Sequence, residues 1–141
     1  MSLTMDHESI LQEAKAGLQR LNKSAITELM AFRQPPAGVV QVLEGVAVLL
    51  VPSKRIYDWK DIKIWLGSNP NNLVTMLKNF EVDQLTEEQL QRLISILACK
   101  DCEPERVLKC SIAGHMLCMW LRAIVQYSTV QRQQQQQQQT V

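Results

Sequence analysis

The chain has 141 residues, 46% hydrophobic and 21% charged, with a formal net charge of +1. That is one globular domain by size and excludes a largely disordered chain, a collagen-like chain and a multi-domain enzyme. Near-neutrality gives no global pull toward nucleic acid, and the longest apolar run, Val46 to Val51, is far short of the ~20 residues that cross a bilayer.

From about Asp6 to Gln34, residues Leu11, Ala14, Leu18, Leu21, Ala25 and Phe32 fall on alternating three- and four-residue steps, with Glu28 the one break. This predicts a single long helix with a coiled-coil seam, weakened at Gly17 by ~1 kcal/mol. Pro35-Pro36 ends it, because neither proline donates a backbone hydrogen bond and each disfavours helix in the residue before it. A second helix is expected from about Pro36 to Val51. It is apolar almost all round, with only Gln41 and Glu44 interrupting, as suits the centre of a bundle; a buried strand is the competing assignment. Pro52 to Arg55 reads as a loop. Asp58 is set to cap a short helix over 59–67 with Trp59, Ile62, Trp65 and Leu66 inward. Asn69-Pro70 is set to start another, burying Leu73, Val74, Leu77 and Phe80. Thr86-Glu87-Glu88-Gln89 is a capping-box signature opening a helix to about Ala98, with Leu90, Leu93, Ile94 and Leu97 inward. Glu103-Pro104 opens the last helix, where Ala113, Met116, Trp120, Ala123, Tyr127 and Val130 form a second seam.

Charge is distributed unevenly. Residues 54–78 carry a net +3, residues 79–105 a net −5, and residues 106–141 a net +4. A nearly neutral chain thus presents local basic surfaces to an acidic partner. Asp6, His7 and Glu8 stand where a secretory signal would be basic, so the four cysteines are expected to be reduced thiols. The fold expected is all-α: a small helical head on a two-stranded antiparallel coiled-coil stalk. Its outer helix ends are expected to continue into further chain.

Five ordered blocks carry a resemblance. They are Lys23-Ser24-Ala25-Ile26-Thr27-Glu28-Leu29 with Gln34-Pro35-Pro36-Ala37-Gly38-Val39; Val42-Leu43-Glu44-Gly45-Val46; Asp58-Trp59-Lys60 with Leu66-Gly67; Lys78-Asn79-Phe80 with Val82-Asp83; and Glu103-Pro104-Glu105-Arg106-Val107 leading to Ser111, Ala113 and Leu117-Cys118-Met119-Trp120. Together they resemble the stalk tip of a dynein heavy chain, the microtubule-binding domain between its two coiled-coil strands, over roughly residues 20 to 130. The resemblance implies a first strand over 5–34, a microtubule-binding head over 35–114, a second strand over 115–132 and a glutamine-rich tail over 133–141. The compact head and the Leu-Cys-x-Trp entry resemble axonemal members, which favours the cytoskeleton of a cilium or flagellum axoneme, with a cytoplasmic or orphan dynein-like chain in the cytoplasm as the alternative.

The partners so implied are the microtubule, at the groove between α- and β-tubulin, and the rest of the heavy chain. No nucleic acid, membrane, metal or cofactor is expected. The first, third and sixth head helices would meet the acidic tubulin surface. The implied contact residues are Gln41, Glu44, Lys54, Arg55, Lys60, Lys63, Glu105, Arg106 and Lys109, with Pro35 and Pro36 as a hinge. Glu105 and Lys109 match an acidic and a basic interface position, although the same pair also reads as a surface ion pair worth about 0.3–0.5 kcal/mol. Val40 departs from the pattern, since cytoplasmic dyneins carry a basic residue there. In the mechanism the resemblance implies, the strands slide by a fraction of a heptad and switch the head between weak and strong binding. The small knobs Ala14, Ala25, Ala113 and Ala123 lower the cost of that shift. ATP hydrolysis would lie in other parts of the heavy chain, so this segment is expected to be non-catalytic; no Gly-rich phosphate loop, G-x-S-x-G elbow or H-E-x-x-H is present.

Two alternatives stand beside this reading. A zinc-stabilised helical domain would use Cys99, Cys102, His115 and Cys118, since Cys110 and Cys118 lie ~12 Å apart on one helix and cannot share an ion. A generic helical interaction module would leave the glutamine run as a flexible end.

Overall fold

In a computed structural model, which describes residues 7–50, 58–67 and 70–139, the helix expected over residues 6–34 is broken in two. Helix α1 (His7–Leu18) and helix α2 (Lys23–Met30) are separated by a tight turn. The N–H groups of Gln19, Arg20 and Leu21 bond carbonyls three residues back, at 3.2, 3.1 and 2.9 Å. Asn22 is extended, and its Oδ1 accepts the Ala25 N–H at 2.9 Å. A side chain that satisfies a first-turn donor starts a new helix. The break shifts the buried face: Leu11, Leu18 and Leu21 are buried as expected, but beyond it Ile26, Leu29 and Met30 point into the core and the expected Ala25 and Phe32 are half-buried. Helix α2 stops at Met30, some residues before the prolines. Residues 31–36 carry no helix, and the Pro36 carbonyl then accepts the N–H groups of Val39 and Val40 at 3.0 and 3.2 Å.

Helix α3 (Ala37–Leu50) is the central element. Val39, Val42, Leu43, Val46, Ala47 and Val48 have no exposed surface, so helix rather than strand was the right reading of the apolar run. Around it pack α4 (Trp59–Gly67), α6 (Glu87–Leu97), α7 (Pro104–Cys110) and α8 (Ile112–Gln139). Helix α5 (Pro70–Lys78) packs on α2 and α4. Two 3-10 turns, Val82–Gln84 and Lys100–Cys102, complete the head, and no strand occurs among the described residues.

Local signals account for most helix starts. Asp58 Oδ1 accepts the Asp61 N–H at 2.8 Å at the start of α4. Ile62 is buried there; the inward Trp65 and Leu66 and the Asn69 cap lie outside the described residues and side chains. Leu73 and Leu77 of α5 are buried, and Phe80 meets Trp120 edge to face, centroids 5.9 Å apart. The capping box at Thr86 forms as expected, with Gln89 N–H to Thr86 Oγ1 at 3.1 Å and Thr86 N–H to Gln89 Oε1 at 2.9 Å. Leu90, Leu93 and Leu97 face inward, but Ile94 is 38% exposed. At 100° per residue Ile94 sits on the flank of that stripe, which explains why spacing alone placed it inside.

The last helix also divides. Ser111 is extended and separates α7 from α8; its Oγ accepts the Gly114 N–H at 2.9 Å. His115 Nδ1 lies 3.0 Å from the Pro104 carbonyl, which holds the bend and selects the Nδ1–H tautomer. Helix α8 then continues through the glutamine run to Gln139. Helices α1 and α8 pack along each other. Glu8 near the start of α1 acts on Tyr127 far along α8, while Arg20 beyond the end of α1 lies beside Ile112 at the start of α8. The two strands are therefore antiparallel, with the head between their inner ends.

Candidate functional site

Helices α3 and α7 bring two of the expected contact regions together. The Lys100–Cys102 turn wedges between them, and the Cys102 thiol lies 4.0 Å from Gln41 Oε1. Arg106 on α7 reaches back to Asp101 at 3.7 Å and to Glu103 at 3.9 Å. These pairs are solvated and weak, so the Arg106 guanidinium remains available to an external acid. Gly38 explains how close this approach is: a Cβ there would overlap the Asp101 carbonyl oxygen.

Glu105 and Lys109 are both exposed and form no ion pair with each other among the described residues. Lys109 lies one turn on from Glu105 along the same helix and lines a groove of about 570 Å3 with Arg20, Glu28, Phe32 and Ile112. Phe32 links this groove to α4, because its carbonyl accepts the Trp59 indole N–H at 3.0 Å. Helix α4 carries Lys60, exposed, and Lys63, half-buried. Lys54 and Arg55, the other half of that basic patch, lie outside the described residues. Glu44 is set apart from the others. It sits half-buried on α3 in a shallow recess with Glu88, Arg92 and Ile96 of α6. Burial raises its carboxyl above the ordinary value, and Arg92 pulls it partly back.

The zinc alternative does not fit the geometry. Among the described residues no group of three His, Cys, Asp or Glu side chains is placed to hold a metal. Cys118 Sγ donates to the Cys102 carbonyl at 3.3 Å, and the Cys99 thiol lies 3.8 Å from Asp101 Oδ2. Burial first, then neighbouring Cys118 and Cys99, pushes the Cys102 thiol up to about 12. Cys102 is fully buried and packs as part of the core.

Sequence reasoning missed the polar ties of α8. Arg122 Nη2 donates to Leu97 O at 3.3 Å and to Cys102 O at 2.8 Å, closing the C-terminal end of α6. Further along, Tyr127 bonds Asp83, and Arg132 bonds Leu85 O and Glu87. The signal available was weak: four basic and no acidic residues over 106–141, facing a strongly acidic segment. It also missed two exposed apolar side chains beside Lys109: Leu108 at 47% and Ile112 at 68%.

Comparison with known proteins bears on this arrangement. Residues 3–141 match the family model described as the microtubule-binding stalk of dynein motor. The chain is 32% identical over 122 residues to dynein axonemal heavy chain 2 of Homo sapiens, covering 86% of this chain and 3% of that protein. It is 32% identical over 126 residues to the ciliary dynein beta chain of Tripneustes gratilla, covering 87% of this chain and 3% of that protein. Identity to dynein axonemal heavy chain 9 of Homo sapiens is also 32% over 126 residues, with 87% and 3% covered. The chain thus spans about 3% of the length of these relatives.

Proposed function

The chain belongs to the family of microtubule-binding stalks of dynein motors, and on that premise we propose that its α3–α7 face grips the tubulin groove under control of strand register. The contact set is Gln41 on α3, with Glu44 on the side of that helix toward α6; Lys60 and Lys63 on α4, with Lys54 and Arg55 before it in the sequence; and Glu105, Arg106 and Lys109 on α7. The division is a first strand over 5–34, a head over 35–114, a second strand over 115–132 and a glutamine-rich end over 133–141. Tubulin is acidic, so these cations supply steering and charge-assisted contacts that weaken with salt. Pro35 and Pro36 form the hinge through which a shift of α1 and α2 along α8 pulls on α3. In the whole heavy chain that shift is coupled to a distant ATPase ring, and the working location is the axoneme of a cilium or flagellum.

The observation that carries this reading is the antiparallel pairing of α1 and α8 with the head helices between their inner ends. In such a plan the relative position of the two strands is a mechanical input to the head. Co-sedimentation with microtubules tests it. Binding is expected at low salt and is expected to weaken as salt rises. Lys60→Glu and Lys63→Glu should each lower affinity by about two- to fivefold, as loss of an exposed charge contact does. Strands cross-linked in different registers should bind with different affinity. Absence of binding at low salt would make the chain a generic helical interaction module, and equal affinity in all registers would refute the coupling.

A further inference from the structure

We propose that Tyr127 and Arg132 of α8, with Asp83, Leu85 and Glu87 of the head, form a clip that keeps the second strand in one register with the head. This rests on the register-controlled reading above and assigns the residues that anchor it. The clip sits two to three turns beyond Trp120, at the outer end of the packed part of α8, where Ile124 and Ser128 are still buried. Tyr127 OH lies 3.1 Å from Asp83 Oδ1, and Gln131 Nε2 donates to Tyr127 OH at 2.7 Å. Arg132 divides its fork: Nη2 donates to the Leu85 carbonyl at 2.7 Å, and Nη1 lies 3.0 Å from Glu87 Oε2.

The placement of these partners matters. Asp83 lies in the 3-10 turn, Leu85 follows it, and Glu87 is the first residue of α6. Glu87 is also inside the capping box, whose Thr86 and Gln89 bonds fix the backbone there. Gln89 Nε2 in turn donates to Val48 O at 3.2 Å, tying this corner to the end of α3. The clip therefore joins the second strand, through a rigid corner, to the central helix that carries Gln41 and Glu44.

A slide of half a heptad moves a helix by about 5 Å along its axis. No contact of 2.7–3.1 Å survives that displacement. A planar guanidinium bound at two separate oxygens tolerates it least, because its donors are fixed in direction. The seam between α1 and α8 presents small or flexible side chains, including Ala14, Met116, Met119 and Ala123. Movement is cheap at that seam and costly at the clip. With the clip intact, strand displacement is delivered to the α1–α2–hinge path. With it removed, α8 also gives way, and the displacement is divided before it reaches the head.

The test grafts the two ends of the full chain onto a rigid antiparallel coiled coil in two registers half a heptad apart. The intact chain is expected to show microtubule affinities differing about fivefold or more between registers, in the range of typical coupling between sites. The Arg132→Ala, Tyr127→Phe double variant should bring that ratio to within about twofold, with helicity and thermal midpoint little changed. Charge exchange, Arg132→Glu with Glu87→Arg, should recover part of the ratio, which a general loss of packing would not allow. Amide exchange at residues 83–87, measured without microtubules, should be equally slow in both registers of the intact chain and faster in the double variant. A folded double variant that keeps the full ratio, or exchange at 83–87 that already differs between registers in the intact chain, overturns the clip. No register dependence in the intact chain, alongside the expected exchange pattern, would instead remove the register-controlled function while leaving the anchored strand.

Discussion

Gly38 and Gly45 look alike in sequence, both inside an apolar helix, yet they face different neighbours. A methyl at Gly38 would strike the backbone oxygen of Asp101, which cannot move without shifting the Lys100–Cys102 turn. A methyl at Gly45 would come 2.8 Å from Leu121 Cδ1 and 3.4 Å from Leu93 Cδ2, both ends of side chains that can rotate. Gly38→Ala is expected to destabilise by about 1–3 kcal/mol, and Gly45→Ala by less, in urea unfolding. Cys102 makes a second residue-scale case. Its folded pKa of about 12 lies above the ordinary 9.0. Above that ordinary value the unfolded chain sheds the proton while the folded chain keeps it. Stability is therefore fully present below pH 9 and declines toward pH 12, by up to about 1.4 kcal/mol per pH unit. Urea unfolding between pH 8 and about pH 10.5 should show a shallower loss for Cys102→Ala than for the parent.

At the scale of elements, the first strand is two helices joined by a capped break, and a second capped break separates α7 of the head from α8, which carries the second seam. Asn22 and Ser111 do equivalent work at the two breaks, each accepting the N–H three residues on. The breaks let the strands bend into the head without carrying unsatisfied helix ends. Ser111→Ala should cost about 1 kcal/mol, as loss of an N-cap does, seen as a lower midpoint in chemical unfolding. The same substitution frees the first turn of α8, next to Lys109, so amide exchange at Gly114 should accelerate.

For the whole molecule, the groove between α1 and α8 has a volume of about 390 Å3 and is lined by Ala14, Gly17, Met116, Met119 and Ala123. Small side chains leave the two strands loosely keyed in this register. Ala14→Leu should fill part of that space and stabilise the observed register by about 1 kcal/mol, from burial of the added methylene and methyl groups. The expected readout is a higher thermal midpoint together with a narrower spread of microtubule affinity in the unlinked chain. A lower midpoint would mean that the groove is too narrow for the larger side chain and that the seam is tightly packed after all.

The amino-acid sequence by itself determined the all-helical class, the central place of α3, the caps at Asp58 and Thr86, and the presence of an apolar seam at each end of the chain. Each of these follows from the period of apolar residues or from a side chain acting within three positions of itself, and such signals are local. The breaks were less legible: the three–four spacing runs on across residues 19–22 and hides the Asn22 cap, and the second seam begins only at Ala113, past Ser111. Only the tertiary structure decided that Gln41 and Arg106 share one corner, that Glu44 turns toward α6, and that Arg122 and Arg132 secure α8 to the head. Those are contacts between residues tens of positions apart, set by how helices stack, and a polar side chain carries no mark in the sequence of the distant carbonyl it will meet.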